Sequence, residues 1–597
     1  MKDSRSWEVC VMQSAETVTG ILRARGRRGL PCDELYRQLF NPALFLMAWG
    51  RIYANKGAMT AGINAETADG MSLVKIGRII NALRHERYRF QPVKRVHIPK
   101  KSGGTRPLGL PSWSDKLVGE VVRILLEAYY EPRFSPSSHG FRPGRGCHTA
   151  LTEIEQTWKG TTWFIEGDIR DCFGTLDHDV MIAVLAERIC DNRFLRLIRG
   201  MLRAGYLEDW RWNATLSGCP QGGVVSPILS NIYLDRMDKW AETVLIPEHT
   251  RGTGRKANPA RKKMDNAMTA ARKRGDRAAV RDLRIRARGM PRRDPDDPGY
   301  RRLRYIRYAD DHLLGFTGPK AEAEQIRDTL AAFLRDDLKL ELSADKTLIT
   351  HGRTHKARFL GYHLIVQHSP SRPRVNGRIG LRVPDEVITA KQAPYRRHGT
   401  PWHRPHLLNL DDLQIISIYG AEYRGIIQYY LLAGNVFRLH RLRRAAELSM
   451  LRTLAAKHHA TVAAMARKYR AVTATPHGPR TCFEARLERP GRKPLAARFG
   501  GIPLKRQAKA VLTDRQPAPP ARPKEIITRL LHGQCEWCGK PARVETHQVR
   551  KLADLAQAGR EQPAWAALMT KMRRKTLIVC APCHQAIHHG KPAANCT

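Results

Sequence analysis

Residues 304–316 read RYIRYADDHLLGF, a run of apolar and aromatic strand residues on either side of the adjacent pair Asp310-Asp311. This pattern predicts two strands joined by a tight turn that carries two carboxylates. Two acids side by side at such a turn are costly unless a cation neutralises them. A third acid, Asp168, ends the strand-like run TWFIEGDI (162–169), 142 residues before Asp310. Three converging carboxylates can hold two divalent ions, which clamp the attacking and leaving oxygens of a phosphoryl transfer.

The chain around these acids has 597 residues. At roughly 150 residues per domain that allows about four domains, with no need for disulfides to stabilise them. Lys and Arg number 103 against 56 Asp and Glu, a net charge of +47, and this excess points to a polyanionic partner. Hydrophobic residues make up 42% of the chain, which excludes a collagen-like, mucin-like or wholly disordered protein. No apolar run approaches the roughly 18 residues that span a bilayer, so no membrane partner is expected. The N-terminus MKDSRSWEVC lacks the pattern of a secretory signal. The 12 cysteines are scattered except for Cys535/Cys538 and Cys580/Cys583, which suits a reducing compartment and one metal site.

Residues 1–90 read as mostly helical, with Leu35, Leu39, Leu44 and Met47 on an apolar face. A strand at 93–99 runs into the Gly-rich turn KKSGGTRPLG, and 115–130 returns to helical spacing with one apolar side. Residues 224–246 read as a helix after the turn SGCPQGG. The stretch 251–304 holds 19 Lys/Arg against 6 acidic residues; it is either a solvated, partly helical insertion or a nucleic-acid contact. A helix is expected at 320–335 and further strands at 339–350 and 358–366. From 411 to about 470 the pattern is purely helical, with Tyr419, Tyr423, Ile426 and Tyr430 forming a core stripe. Arg438, Arg441, Arg443, Arg444 and Arg452 lie on nearby polar faces, and TDRQPAPPARPK (513–524) is a Pro-rich linker.

Taken together, these blocks resemble a reverse transcriptase of the group II intron-encoded maturase family. The resemblance rests on RVHIPKKSGGTRPLGLPS, HGFRPGRGCHTAL, FIEGDIRDCFGTLDH, GCPQGGVVSPILSNIYLDRMD, YIRYADDHLLGF, LELSADKTLI and RFLGYHL, in family order. It implies that Asp168, Asp310 and Asp311 ligate two magnesium ions of DNA synthesis, and that Lys100 and Arg106 hold the incoming triphosphate. It further implies that Phe173 lies beneath the sugar and excludes a 2′-hydroxyl. Gln221 would line the nascent base-pair pocket, and Lys346 would approach the phosphate or primer end.

The C-terminus resembles the family's HNH endonuclease. Cys535-x-x-Cys538 and Cys580-x-x-Cys583 are two knuckles suited to one tetrahedral, structural zinc. His584 and His588 lie four apart, on one face of a helix, where they could hold a magnesium or manganese ion. In VETHQVRKL (544–552) the family's paired histidines read His547-Gln548. Glutamine is no base near neutral pH, so either His547 activates water, with ligation by His584, His588 and Glu545, or His547 is itself a metal ligand, the base is missing and the nuclease is impaired.

The resemblance implies a multidomain α/β protein with a right-hand polymerase (fingers and palm), an all-α thumb/maturase domain and a small zinc-bound HNH module of ββα-metal type. The expected divisions are 1–110 (N-terminal extension and fingers), 111–385 (fingers/palm core with the 251–304 insertion), 386–475 (thumb/maturase), 476–524 (DNA-binding region and linker) and 525–597 (HNH). The implied partners are a group II intron RNA, target DNA and deoxynucleotides, in bacterial cytoplasm at the nucleoid or in an organelle. Two other readings remain: a reverse transcriptase not linked to an intron, and a splicing-only maturase.

Overall fold

In the computed structural model, Arg302–Tyr308 and Asp311–Thr317 form the hairpin that the carboxylate pair announces. The structure describes residues 13–593 apart from 56, 100–102, 209–210, 214–216, 219–222, 289, 370, 490–491, 513–523, 556–561 and 592. The hairpin pairs antiparallel with Trp163–Asp168, which in turn pairs with Leu348–His351, giving a four-stranded sheet. Only the last part of the strand expected at 339–350 is extended; Ser343, within the irregular part, donates its backbone N–H to the Asp168 carbonyl.

This sheet is the wall between two cores. Ile165, Leu303, Tyr305, Leu314 and Phe316 belong to the first, while Phe164, Ile306 and Leu313 belong to the second. Period-two alternation therefore buries apolar residues on both faces, unlike a sheet with one wet side. Helices Ser226–Trp240 and Lys320–Leu338 contribute to the first core, as do Ala15–Arg28, Pro42–Ile52 and Trp113–Tyr130. Trp113–Tyr130 starts at Ser112, whose side chain accepts from the Asp115 N–H. One apolar side was expected, but the helix is buried nearly all round, and its charges pair along its own length, Arg123 donating to Glu120 and Glu127.

The basic stretch 251–304 is a helical hairpin, Pro259–Lys273 and Arg277–Arg288, with Met268, Ala271 and Ala287 buried. Its stem closes through the Arg251–Arg301 bridge, and Arg301 is anchored on Glu322.

The second core holds the expected stripe and corrects one expectation. Helix Asp412–Tyr429 buries Tyr419 and Tyr423 in it, Tyr430 at the helix end is buried in the same core, and Ile426 packs against it partly buried. The all-α domain expected at 386–475 carries a sheet: Arg470–Thr473 pairs with Arg480–Arg489, which pairs with Arg492–Gly500. The last two strands fall within 476–524, yet Phe483, Ala485, Ala497 and Phe499 join the core of the helix. Phe499 lies 5.2 Å from Tyr423, centroid to centroid. A Cβ at Gly420 would come within 2.1 Å of the Arg498 carbonyl, so only glycine lets strand and helix approach this closely.

The C-terminal segment forms antiparallel strands Val544–Gln548 and Thr576–Cys580 followed by helix Ala581–His588. Ile526, Ile527, Leu530, Val544 and Ile578 belong to the first core, so this segment is seated on the N-terminal helices.

Removing the Phe499 ring leaves a cavity at the helix–hairpin contact, and Phe499→Ala should lower stability by about 3–5 kcal/mol. Chemical denaturation checks this; an unchanged midpoint would show that the hairpin is not part of that core.

Candidate functional site

The strand register brings Asp168 directly opposite Asp311, with Asp310 in the intervening turn beside them. Ala309 turns the chain with φ of 57°, a left-handed conformation rare for alanine. Gly140 makes room for that turn, since a Cβ there would lie 2.4 Å from the Ala309 nitrogen. Burial raises the Asp310 carboxyl, and Asp168 adds to it. Burial, then Asp310 and Asp168, push Asp311 up to about 7. Acids so crowded favour a cation beside them, and carboxylate oxygens are the donors that a hard divalent ion takes. Lys346 already leans in, donating from Nζ to Asp168 Oδ2 at 2.5 Å.

Beneath the turn lies an ion pair that sequence reading passed over. Arg307 is fully buried and uses all its N–H groups: Nε and Nη2 donate to Asp238, Nη1 to Asn231 and the Ala309 carbonyl, and Nη2 also to Ser138. The bond to Ala309 is 2.7 Å long and grips the turn that presents Asp310. Tyr305 donates its hydroxyl to the same Asp238. The signal was a basic residue in a strand whose neighbours are apolar: a buried guanidinium requires a buried acid.

Arg106 is exposed on the strand Thr105–Leu110. Phe173 follows Asp168 on the short helix Cys172–Thr175 and meets Phe141 edge-on at 6.4 Å. Lys100 and Gln221 lie outside the described residues.

At the C-terminus, the thiols of Cys535, Cys538, Cys580 and Cys583 lie within 4.8 Å of one another. Cys538 Sγ is 3.9 Å from Cys580 Sγ, near the edge of about 3.8 Å that zinc–sulfur bonds of about 2.3 Å produce in a tetrahedron. This group could hold a zinc ion.

A second cluster gathers Asp69, His547, His584 and His588, their ligand atoms again within 4.8 Å of one another. Glu545, expected among the ligands, faces the far side of His584, 2.7 Å from Nδ1. Burial works against protonation of His584, but Asp69 and Glu545 outweigh it and hold the imidazole at about 9. Asp69 comes from the N-terminal part of the chain, and no local motif marks it.

Comparison with known proteins finds family matches in three segments of the chain. A family model for reverse transcriptase (RNA-dependent DNA polymerase) matches residues 98–364, one for type II intron maturase 384–481, and one for AI2M/AI1M-like HNH endonuclease 535–584. The group II intron-encoded protein LtrA of Lactococcus lactis subsp. cremoris is 35% identical over 93% of this chain and 95% of its own length. The chain belongs to the group II intron-encoded reverse transcriptase/maturase family.

Two fungal relatives of this family member are a 91 kDa protein in the cob intron of Schizosaccharomyces pombe and a COX1/OXI3 intron 2 protein of Saccharomyces cerevisiae. The first is 33% identical over 94% of this chain and 70% of its own, the second 32% over 92% and 65%. Among solved structures, apo telomerase from Candida tropicalis aligns over 48% of this chain and 56% of its own, with a TM-score of 0.29 and 13% identity. The chain is thus an RNA-directed DNA polymerase joined to a splicing maturase segment and an HNH endonuclease. Among the described residues no helix is long and apolar enough to cross a membrane.

Asp238→Ala should strand the buried Arg307 charge and cost about 3–5 kcal/mol. Pairing Arg307→Met with Asp238→Leu should recover most of that stability but not cDNA synthesis, because the Ala309 carbonyl loses its donor. Denaturation and primer extension on both variants check this, and full polymerase activity in the double variant would refute the role of the grip.

Proposed function

We propose that this protein binds its group II intron RNA and assists splicing, then nicks target DNA and copies the intron RNA into DNA from the cut strand. The observation that carries this reading is the convergence of Asp168, Asp310 and Asp311 at the end of the central sheet, within a chain that also bears maturase and HNH segments. Two magnesium ions held by these carboxylates would stabilise the attacking and leaving oxygens of nucleotidyl transfer. Arg307 acts one step behind them, holding the turn so that Asp310 and Asp311 need no rearrangement to bind.

In the fingers and palm of this right-hand polymerase, Lys100 and Arg106 hold the triphosphate of the deoxynucleotide, and Gln221 lines the base-pair pocket. Lys346, two-thirds exposed at its side chain, can leave Asp168 for the phosphate or the primer end. Phe173 forms the floor under the sugar, and its edge contact with Phe141 makes that floor stiff. A stiff ring rejects a 2′-hydroxyl by steric overlap.

In the nuclease module, Cys535, Cys538, Cys580 and Cys583 hold a structural zinc. His584 and His588 hold a magnesium or manganese ion, and His547 accepts the proton of the attacking water. The target DNA would be met at the nucleoid. The basic hairpin 259–288 and the arginines of the thumb supply the surface for intron RNA; such binding is spread over many phosphate contacts.

Asp310→Asn combined with Asp311→Asn should abolish magnesium-dependent cDNA synthesis while leaving splicing assistance intact, as read by primer extension and by splicing of the intron RNA. Copying at the undiminished rate would refute the carboxylate assignment. Phe173→Ala should raise ribonucleotide incorporation, measured by primer extension with mixed nucleotides; an unchanged preference would assign sugar choice to another residue.

A further inference from the structure

The nuclease module is joined edge to edge with the N-terminal part of the chain. The Gly70 N–H donates to the Thr546 carbonyl and the Thr546 N–H to the Met71 carbonyl, while Ser72 bridges Glu545. The Thr546 hydroxyl, fully buried, donates to the Ala68 carbonyl. Residues 68–72 thus lie along the strand Val544–Gln548 as an added edge partner. Gln548 completes the seam: its N–H donates to Asp69 Oδ1 at 2.7 Å and its amide to the Tyr53 carbonyl at 2.9 Å. The amide that replaces the second histidine of the HNH pair is therefore engaged in docking.

This seam carries Asp69 into the histidine cluster. Asp69 Oδ2 lies 3.2 Å from His584 Nε2 and 2.9 Å from His588 Nε2, and these two nitrogens are 3.1 Å apart. Three ligand atoms about 2.1 Å from one ion, at right angles to each other, would stand about 3.0 Å apart. Glu545 at Nδ1 of His584 turns the opposite nitrogen, Nε2, into the cluster, as outer carboxylates do for metal-bound histidines. An independent sign is His547, 5% exposed, whose Nε2 has no hydrogen-bond partner among the described residues and whose Nδ1 faces Asp69 Oδ1 at 3.4 Å. Beside Asp69, between the two parts, opens a cleft of about 800 Å³ lined by Arg78 and Arg543, by Lys75 paired to Glu66, and by Glu545. Its two arginines suit a phosphodiester backbone.

We propose that Asp69 is a ligand of the nuclease cation together with His584 and His588, so that the cation site is shared between the HNH module and the N-terminal domain and is complete only when the two are docked. This rests on the reading of the module as a metal-dependent nuclease. Strand cleavage is thereby tied to docking: a detached module keeps its zinc knuckles but has only part of its cation site.

The test is Mn²⁺ titration of the full-length, zinc-loaded protein by calorimetry, in an Asp310→Asn/Asp311→Asn background that removes the polymerase carboxylates. The parent should bind one Mn²⁺, with at least tenfold weaker binding in both Asp69→Asn and His588→Ala and unchanged zinc content. Asp69→Glu, which keeps a carboxylate, should retain more affinity than Asp69→Asn; equal loss in the two would mark a packing role and overturn the proposal. Parental affinity in Asp69→Asn with loss in His588→Ala would overturn the shared site while leaving the nuclease reading standing. No Mn²⁺ binding by the parent would bring down both.

Discussion

The buried pair of Arg307 and Asp238 is the constraint on which the polymerase centre depends. A guanidinium with no exposure to water can exist there only because every N–H meets an acceptor. Those acceptors come from three separate places: the helix Ser226–Trp240, the loop at Ser138 and the Ala309 turn itself. Satisfying one side chain therefore fixes the helix, the loop and the turn together. The carboxylates that follow inherit this rigidity, and their mutual repulsion is borne by a frame that cannot relax by moving them apart.

The sheet that carries the carboxylates has helices of the first core behind one face and, behind the other, a second core that it shares with the maturase region. The Asp168 strand is thus packed from both sides. The maturase region is not merely appended: Tyr362 and His148 both reach the Tyr429 carbonyl, linking it to the polymerase portion through partly buried hydrogen bonds. The hairpin 480–500 extends the same block. A substitution in that core should reach the catalytic sheet through packing alone.

The nuclease module illustrates a different use of a sheet edge. A two-stranded pair exposes unpaired backbone on both sides, and residues 68–72 cover one of them. Gln548 suits this seam, because an amide can donate to a carbonyl whatever the pH, whereas an imidazole changes its donor set on protonation. At this position the side chain serves adhesion between domains, leaving His547 as the imidazole of the pair.

Much of the molecule was legible in the sequence because its determinants are local. The Asp310-Asp311 turn between apolar runs, the two cysteine knuckles and the four-residue spacing of His584 and His588 each need only a few neighbouring residues to be read, and the structure builds the hairpin, the thiol cluster and the helix they announce. What sequence alone left hidden depends on contacts across hundreds of residues. The hairpin 480–500 falls within what reads as a DNA-binding region and linker until Gly420 lets its backbone reach the helix. Arg307 reads as an ordinary strand residue until Asp238 arrives from 69 positions away. Asp69 is one acid in a loop until the seam with Thr546 and Gln548 carries it to the imidazoles. Local pattern determined which chemistry each segment could carry, and tertiary packing decided which distant groups complete it, since charge neutralisation and ligand geometry depend on distance in space and not along the chain.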